Sequence, residues 1–401
     1  MKVLHITTAY PYIHDKGIIP WLVKLLKKLR EKGIEIEILT SSYRGRNKNE
    51  MQSGIPIYRF RYEKQKEETL SYAIAIPEQL KRNFLKTSIK VVKFLYHGFR
   101  KAHKISKERK FDIVHIHWPI PMALLGIPFI KFDIPLVFTF YTAELTLASK
   151  NSIFRFFSKN IIKGGDHFIF ISSFTKNSFF SLFSEFKNIK YSILPFASSL
   201  EQAKMKRPKV NSKNNNILFV GRIVERKGIV YLIKAAEILK TKGYHFKVTI
   251  VGDGPDREKL KNMIMKKNLT DLVRFTGKVS DKELHTHYEN SDLFVLPAIV
   301  DSKGDTEGLG VVLIESLIYG IPVVASKVGG IVDIVKDRKT GLLVEQKDSE
   351  KLAQAIITML VDQNLRKKTV IEGQKLIKEY FSIESISEKL HNIYKTLTLQ
   401  C

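Results

Sequence analysis

Short apolar runs alternate with longer stretches of helical periodicity along the whole chain. In the first half, 2–7, 34–40, 55–62, 113–117, 136–140, 167–171 and 191–194 read as strands. Residues 21–32 and 173–184 read as helices between them. Such alternation predicts a parallel sheet covered on both faces. The run 204–216 is polar, aperiodic and rich in Lys and Asn, and reads as a linker. A second alternation follows. Its strands fall at 217–220, 246–251, 273–276, 293–296, 322–325 and 341–344. Its helices fall at 229–242, 256–267, 281–290, 311–319 and 349–362, with a last helix at 383–397.

The expected fold class is therefore α/β, with two doubly wound, Rossmann-like domains at 1–200 and 214–382. In such a pair the carboxyl ends of the two sheets face a central cleft, where ligands bind. A length of 401 residues suits this division.

Composition narrows the function. One cysteine, Cys401, permits no disulfide within the chain, so a reducing cytoplasm is expected. The N-terminus lacks a signal-peptide core, and no apolar run reaches the ~20 residues of a membrane span. The formal net charge is +27, and it is uneven. Residues 1–206 hold 35 Lys and Arg against 16 acids, whereas 207–401 hold 32 against 24. Anionic lipid, nucleic acid and a phosphate-bearing substrate are all compatible partners.

The chemistry concentrates where strands end. After 217–220 comes Gly221-Arg222-Ile223-Val224-Glu225-Arg226-Lys227-Gly228. Arg222 and Lys227 can hold a diphosphate there and stabilise it as it leaves. Gly252-Asp253-Gly254-Pro255 and Gly277-Lys278 follow the next two strands. Glu307-Gly308-Leu309-Gly310 opens the helix that carries Glu315. The mouth of that helix offers backbone N–H groups and the positive end of its dipole to a diphosphate, with a carboxylate for a hydroxyl-rich ring on either side. A nucleotide-sugar has this layout. Last comes Gly320-Ile321-Pro322-Val323-Val324-Ala325-Ser326-Lys327-Val328-Gly329-Gly330, which closes the sheet and is assigned no chemistry.

Five blocks in this order over 217–345 resemble the retaining glycosyltransferases of family 4, whose signature reads E-G-[FL]-G-x4-E. The resemblance implies the GT-B fold, with donor in the second domain, acceptor in the first, and the final helix crossing back to the first. It puts Glu307 on hydroxyls of the transferred sugar and Glu315 on the ribose. The Gly308, Leu309 and Gly310 N–H groups would face sugar and phosphate, and the backbone at Lys278 the base. Asp305 is a further candidate in the adjoining loop. In the first half, the resemblance puts His117, at the end of Asp112-Ile113-Val114-His115-Ile116-His117, on the donor hexose, and Gly17 near the donor phosphate. His115 shares the face of His117 and reads as a packed core histidine.

One position departs from the family pattern. In Thr139-Phe140-Tyr141-Thr142-Ala143-Glu144, Tyr141 stands where a histidine is common, which bears on the acceptor. Glu144 is a candidate acceptor contact. The chain has no D-x-D motif, so no divalent metal and no cofactor are expected; the donor would be a UDP-, GDP- or ADP-sugar. Residues 80–110 carry eleven Lys and Arg and one acid, Glu108. Phe84, Val91, Leu95 and Phe99 lie near one helical face there, with Lys86, Lys90, Lys93, Lys101 and Lys104 roughly opposite. That pattern suits an anionic membrane surface, peripherally on its inner face, as well as a solvated helix. A glycan or lipid-linked acceptor is expected and nucleic acid is not. Two alternatives stand beside transfer: a GT-B sugar-nucleotide epimerase, and a non-enzymatic basic binder of membrane or nucleic acid.

Overall fold

The computed structural model describes residues 1–12, 19–44, 49–70, 79, 83–196, 205–206, 208 and 215–399. Gly17, most of the polar run at 204–216 and the start of the 80–110 segment lie outside them. The chain divides into two compact units, Met1–Pro195 with Ile383–Cys401, and Phe196–Ser382.

Unit 1 is built on an eight-stranded sheet of order β3-β4-β2-β1-β5-β6-β7-β8. Its strands are β1 (Lys2–Ile6), β2 (Glu35–Ser41), β3 (Glu50–Gln52), β4 (Ile55–Phe60), β5 (Ile113–His117), β6 (Leu136–Phe140), β7 (His167–Phe170) and β8 (Tyr191–Ile193). All pairs are parallel except β3 with β4, a short hairpin that the apolar pattern does not announce. The numbered helices are α1 (Pro20–Glu31), α2 (Phe84–Glu108), α3 (Ala143–Lys150), α4 (Ser152–Ile162) and α5 (Ser173–Leu182). Short turns run through 119–130 between β5 and β6.

The sequence assigns the faces of α2 differently from the structure. Its buried side is Thr87, Phe94, Gly98, Ala102, Ile105 and Ser106, with Val91 and Leu95 packed against the core beside it. Phe84 and Phe99 point outward, and Lys101 is half-buried. Burial lowers the Lys101 ammonium pKa, with Lys104 adding to the effect. The helix must fit the sheet below, and the small Gly98 admits Leu125: a Cβ there would stand 2.9 Å from Leu125 Cδ2.

Unit 2 has a wholly parallel sheet of order β11-β10-β9-β12-β13-β14. The strands are β9 (Asn216–Val220), β10 (Lys247–Val251), β11 (Val273–Gly277), β12 (Leu293–Leu296), β13 (Val323–Ser326) and β14 (Leu342–Val344). Their near-continuous apolar character follows from burial on both faces. The longer helices are α6 (Ile229–Thr241), α7 (Arg257–Lys266), α8 (Asp281–Glu289), α9 (Val311–Ile318), α10 (Ser349–Val361) and α11 (Gln363–Leu376).

The last helix, α12 (Ile383–Thr398), belongs to unit 1 and packs on α1. Lys28 lies 3.7 Å from Glu384 across that contact, and Lys32 pairs with Glu388. Ile386, Leu390, Tyr394 and Leu397 form its buried stripe at helical spacing.

Candidate active site

In unit 2 the chain leaves β9 towards β10 and β11 on one side and returns to β12 on the other. The loops after β9 and β12 therefore part at a topological switch point, where parallel sheets hold their ligands. Lys227 ends a one-turn helix, Glu225–Lys227, in the first of these loops. Gly228 follows at φ 64°, and a Cβ there would stand 1.8 Å from the Pro297 carbonyl oxygen. Only glycine permits that approach. The Ile299 N–H also donates to the Arg226 carbonyl at 2.8 Å, so the turn is clamped to the chain leaving β12.

The clamp brings Lys227 Nζ into a hydrogen-bonded ion pair with Glu307 Oε2. Arg226 Nη1 lies 3.4 Å from the same oxygen, and Arg226 Nε 3.5 Å from Asp305. Burial works against the Glu307 charge, but Lys227 and then Arg226 outweigh it, and the carboxyl is held below its usual pKa. Arg226 thus joins Glu307, whereas Arg222, which the sequence puts beside Lys227, is exposed on the same loop. The signal for Arg226 is only its place before Lys227.

The Glu307 loop is braced from behind. The Gly330 N–H donates to the Glu307 carbonyl at 2.9 Å. A Cβ at Gly329 would meet that oxygen at 2.0 Å, and one at Gly330 would meet the Gly308 oxygen at 2.1 Å. The glycine pair that the sequence leaves without a role therefore sets the loop's position. Leu309 anchors the loop by burying its side chain in the core. Gly310 caps α9 at φ 91°, a conformation that favours glycine. Glu315 is buried on α9 and accepts a hydrogen bond from the Tyr288 hydroxyl at 2.8 Å. Tyr288 stands on α8 and carries no signal linking it to α9. Lys278 is exposed just past β11.

Unit 1 reverses its strand order between β1 and β5. Their parallel register sets His5 beside His115, with His117 two residues on and on the same face. All three histidines are buried. His5 Nδ1 lies 3.1 Å from His117 Nε2, and His117 Nδ1 lies 2.6 Å from the Tyr141 hydroxyl. His5 Nε2 lies 3.4 Å from the Tyr394 hydroxyl on α12, which lies 2.5 Å from His115 Nδ1. His115 Nε2 is 2.7 Å from Thr139 Oγ1. Burial lowers the pKa of His117 to about 3, and those of His5 and His115 well below the usual value.

A neutral imidazole donates at one nitrogen and accepts at the other. His117 and His5, bonded ring to ring, must therefore carry the proton on the same nitrogen, and a Tyr394 hydroxyl that accepts from one neighbour and donates to the other extends that rule to His115. With Tyr394 donating to one of its two neighbours, all three rings carry the proton on Nε2 or all three on Nδ1. The ring nitrogens also come within 4.8 Å of one another, a spacing compatible with a metal ion. All six nitrogens are instead spent on these bonds, and the His115 and His117 rings stack at 4.4 Å rather than converge on a point.

The expected contact of His117 with a sugar requires one of its two bonds to open. Around it stands an aromatic wall, with Trp118 stacked on Tyr141 at 4.3 Å and Trp21 at 5.3 Å from the same ring. Trp118 at φ 54° and Thr142 at φ 82° hold strained backbone at these strand ends, of the kind that costs about 1–3 kcal/mol each. Glu144 accepts the Tyr141 N–H at 2.8 Å, while its Oε2 is buried without a hydrogen-bond partner. Burial pushes its carboxyl up to about 7.

Comparison with known proteins identifies the family. Residues 20–195 match the family model described as Glycosyltransferase Family 4, and residues 201–376 match that described as Glycosyl transferases group 1. The chain belongs to glycosyltransferase family 4. It is 27% identical over 401 residues to an uncharacterised glycosyltransferase of Methanocaldococcus jannaschii, covering 99% of both chains. It is 28% identical over 241 residues to the GDP-mannose-dependent alpha-(1-6)-phosphatidylinositol monomannoside mannosyltransferase of Mycobacterium tuberculosis, covering 58% of this chain and 62% of that one. A structure of Anabaena HepE in complex with UDP-glucose superposes with a TM-score of 0.69 at 16% identity, over 99% of this chain and all of the other. The fold is GT-B, with two Rossmann-like parallel-sheet domains, and the protein is a glycosyltransferase.

Proposed function

We propose that this glycosyltransferase is a retaining, metal-independent enzyme that moves a sugar from a nucleoside-diphosphate-sugar to a hydroxyl of a glycan or glycolipid acceptor. The observation that carries the reading is the Lys227–Glu307–Arg226 group at the β9/β12 switch point, beside the Gly308–Gly310 loop that opens α9. The names of a GDP-mannose-dependent relative and of a structure holding UDP-glucose support the nucleotide-sugar class.

A diphosphate at the mouth of α9 competes with Glu307 for Lys227. Glu307 then turns to the hydroxyls of the sugar. Lys227, with Arg226 on the same turn and Arg222 on the same loop, takes up the charge that grows on the diphosphate as its bond to the sugar breaks. The acceptor oxygen forms the new bond on the face the diphosphate leaves, and its proton passes to the departing phosphate oxygen. The products are the glycoside and the nucleoside diphosphate. A lipid-linked acceptor would locate the reaction at the inner face of the membrane, with the chain otherwise in the cytoplasm.

The test is a titration of UDP-, GDP- and ADP-sugars, followed by turnover of the one that binds. Saturable binding and a product with the donor's anomeric configuration support the reading. Inversion at the anomeric carbon overturns the retaining step, and epimer formation without acceptor would replace transfer altogether.

A further inference from the structure

Exposed large apolar side chains are concentrated on one part of unit 1. Among the described residues, twelve of the 21 such side chains lie between Phe84 and Phe157. On α2, Leu85, Ile89, Val92, Tyr96 and Phe99 recur at alternating spacings of four and three, a stripe along the solvent side of the helix. On α4, Ile153, Phe156 and Phe157 are each at least 60% exposed. Ile127, Ile130 and Phe132 stand in the chain between β5 and β6.

These segments adjoin. The turns at 119–130 contact both α2 and α4. Leu125 is set against Gly98 of α2, and Ile130 against Gly164 just past α4, where a Cβ would stand 2.9 Å from Ile130 Cδ1. Phe94 on α2 and Phe129 and Ile162 on the neighbouring segments are buried in one core. The outward sides of these adjoining segments lie over that core. An apolar layer of this extent on a soluble surface marks an interaction site.

The charge around the layer identifies its occupant. Helix α2 carries seven Lys and Arg and one acid, and α4 carries two and none. Lys86, Arg100, Lys107 and Lys131 are exposed among the apolar side chains. A second copy of the chain meeting this face about a two-fold axis would set cation against cation. A bilayer with anionic headgroups satisfies both components, taking the rings and aliphatic chains below the headgroups and the ammonium and guanidinium groups among them. We propose that the combined face of α2, the 127–132 segment and α4 is a peripheral docking surface for an anionic lipid bilayer. This surface is larger than the single basic helix that the sequence indicates, and it does not depend on the transfer reading.

The experiment is co-sedimentation of the full chain with vesicles. One set is phosphatidylcholine alone, and the other contains phosphatidylglycerol. Two double variants, Ile89→Ser with Val92→Ser on α2 and Phe156→Ser with Phe157→Ser on α4, remove exposed side chains from separate helices. If one pair disturbs folding, the other still reports. The chain is expected to sediment with the anionic vesicles only, and each pair to weaken partitioning by roughly tenfold. Lys86→Glu with Lys107→Glu should weaken it as well. The proposal is overturned if the native chain stays in the supernatant, or if both serine pairs bind as well as it does. It is equally overturned if the chain self-associates without vesicles and the serine pairs abolish that association, which would make a second copy the occupant.

Discussion

In unit 2, loops after β9 and β12 press a lysine and an arginine onto one carboxylate. In unit 1, strands β1 and β5 bring three histidines together with no carboxylate bonded to them among the described residues, and burial keeps all three neutral. Both groups stand where the strand order reverses, so the two sheets supply the same location for opposite electrostatics. The charged group suits a polyanionic leaving group. The neutral group suits hydroxyls, to which it adds no charge. Fold symmetry thus locates a site, while side-chain chemistry assigns its task.

The largest expected difference lies in catalysis. Lys227→Ala or Glu307→Ala should lower transfer by roughly 100- to 1,000-fold, the range for removing a group that stabilises developing charge. Tyr141→Phe removes one hydroxyl from a neutral chain and should cost no more than about tenfold. Steady-state kinetics with the true donor checks both, and equal losses would erase the distinction between the two groups.

Next in size is the response to acid. The folded pKa of His117 is about 3, against an ordinary 6.5, and His5 and His115 shift the same way. A depressed histidine favours folding fully above pH 6.5, and that contribution is lost as pH falls below it. Glu144, raised to about 7, acts in the opposite sense, favouring the folded state at low pH and losing that effect as pH rises from 4.5 towards 7. Three groups act against one, so near pH 5.5 a fall in pH disfavours folded unit 1 on balance. The depressed Glu307 loses its contribution only below its ordinary 4.5. After correction for intrinsic exchange, amides of β1 and β5 should therefore lose protection at a higher pH than those of β9 and β12. Loss in unit 2 first would contradict the comparison.

The smallest effect is in proton position. Long-range proton–nitrogen correlation spectra should find one shared tautomer for His5, His115 and His117. Tyr394→Phe should cost roughly 1–2 kcal/mol of stability. It should also release His115 from that rule while leaving His5 and His117 coupled. A mixed pattern in the native chain would refute that shared rule.

The contrast extends to what the sequence reveals. Every strand except the short β3 is legible because burial on two faces imposes short apolar runs bounded by polar turns. The unit 2 residues are legible because glycines and charges crowd immediately after those runs. Their pairing is less so, since the clamp of Gly228 on Pro297 favours Arg226 over Arg222, and the brace from Gly329 and Gly330 depends on a contact between distant loops. In unit 1 His115, His117, Tyr141 and Glu144 stand out. His5 joins them through strand order, and Tyr394 through a helix 279 residues beyond His115, neither of which periodicity encodes. The outward stripe of α2 is hidden for a related reason, because the sheet below decides which apolar residues a helix turns inward.

The measurement that bears most directly on the central claim is calorimetric titration of nucleoside-diphosphate-sugars into the native chain and into Lys227→Ala. The account predicts saturable binding of one donor, weakened at least about tenfold by the substitution, with the variant still folded. Equal affinity in the two proteins, or no binding of any donor to the native chain, would contradict it.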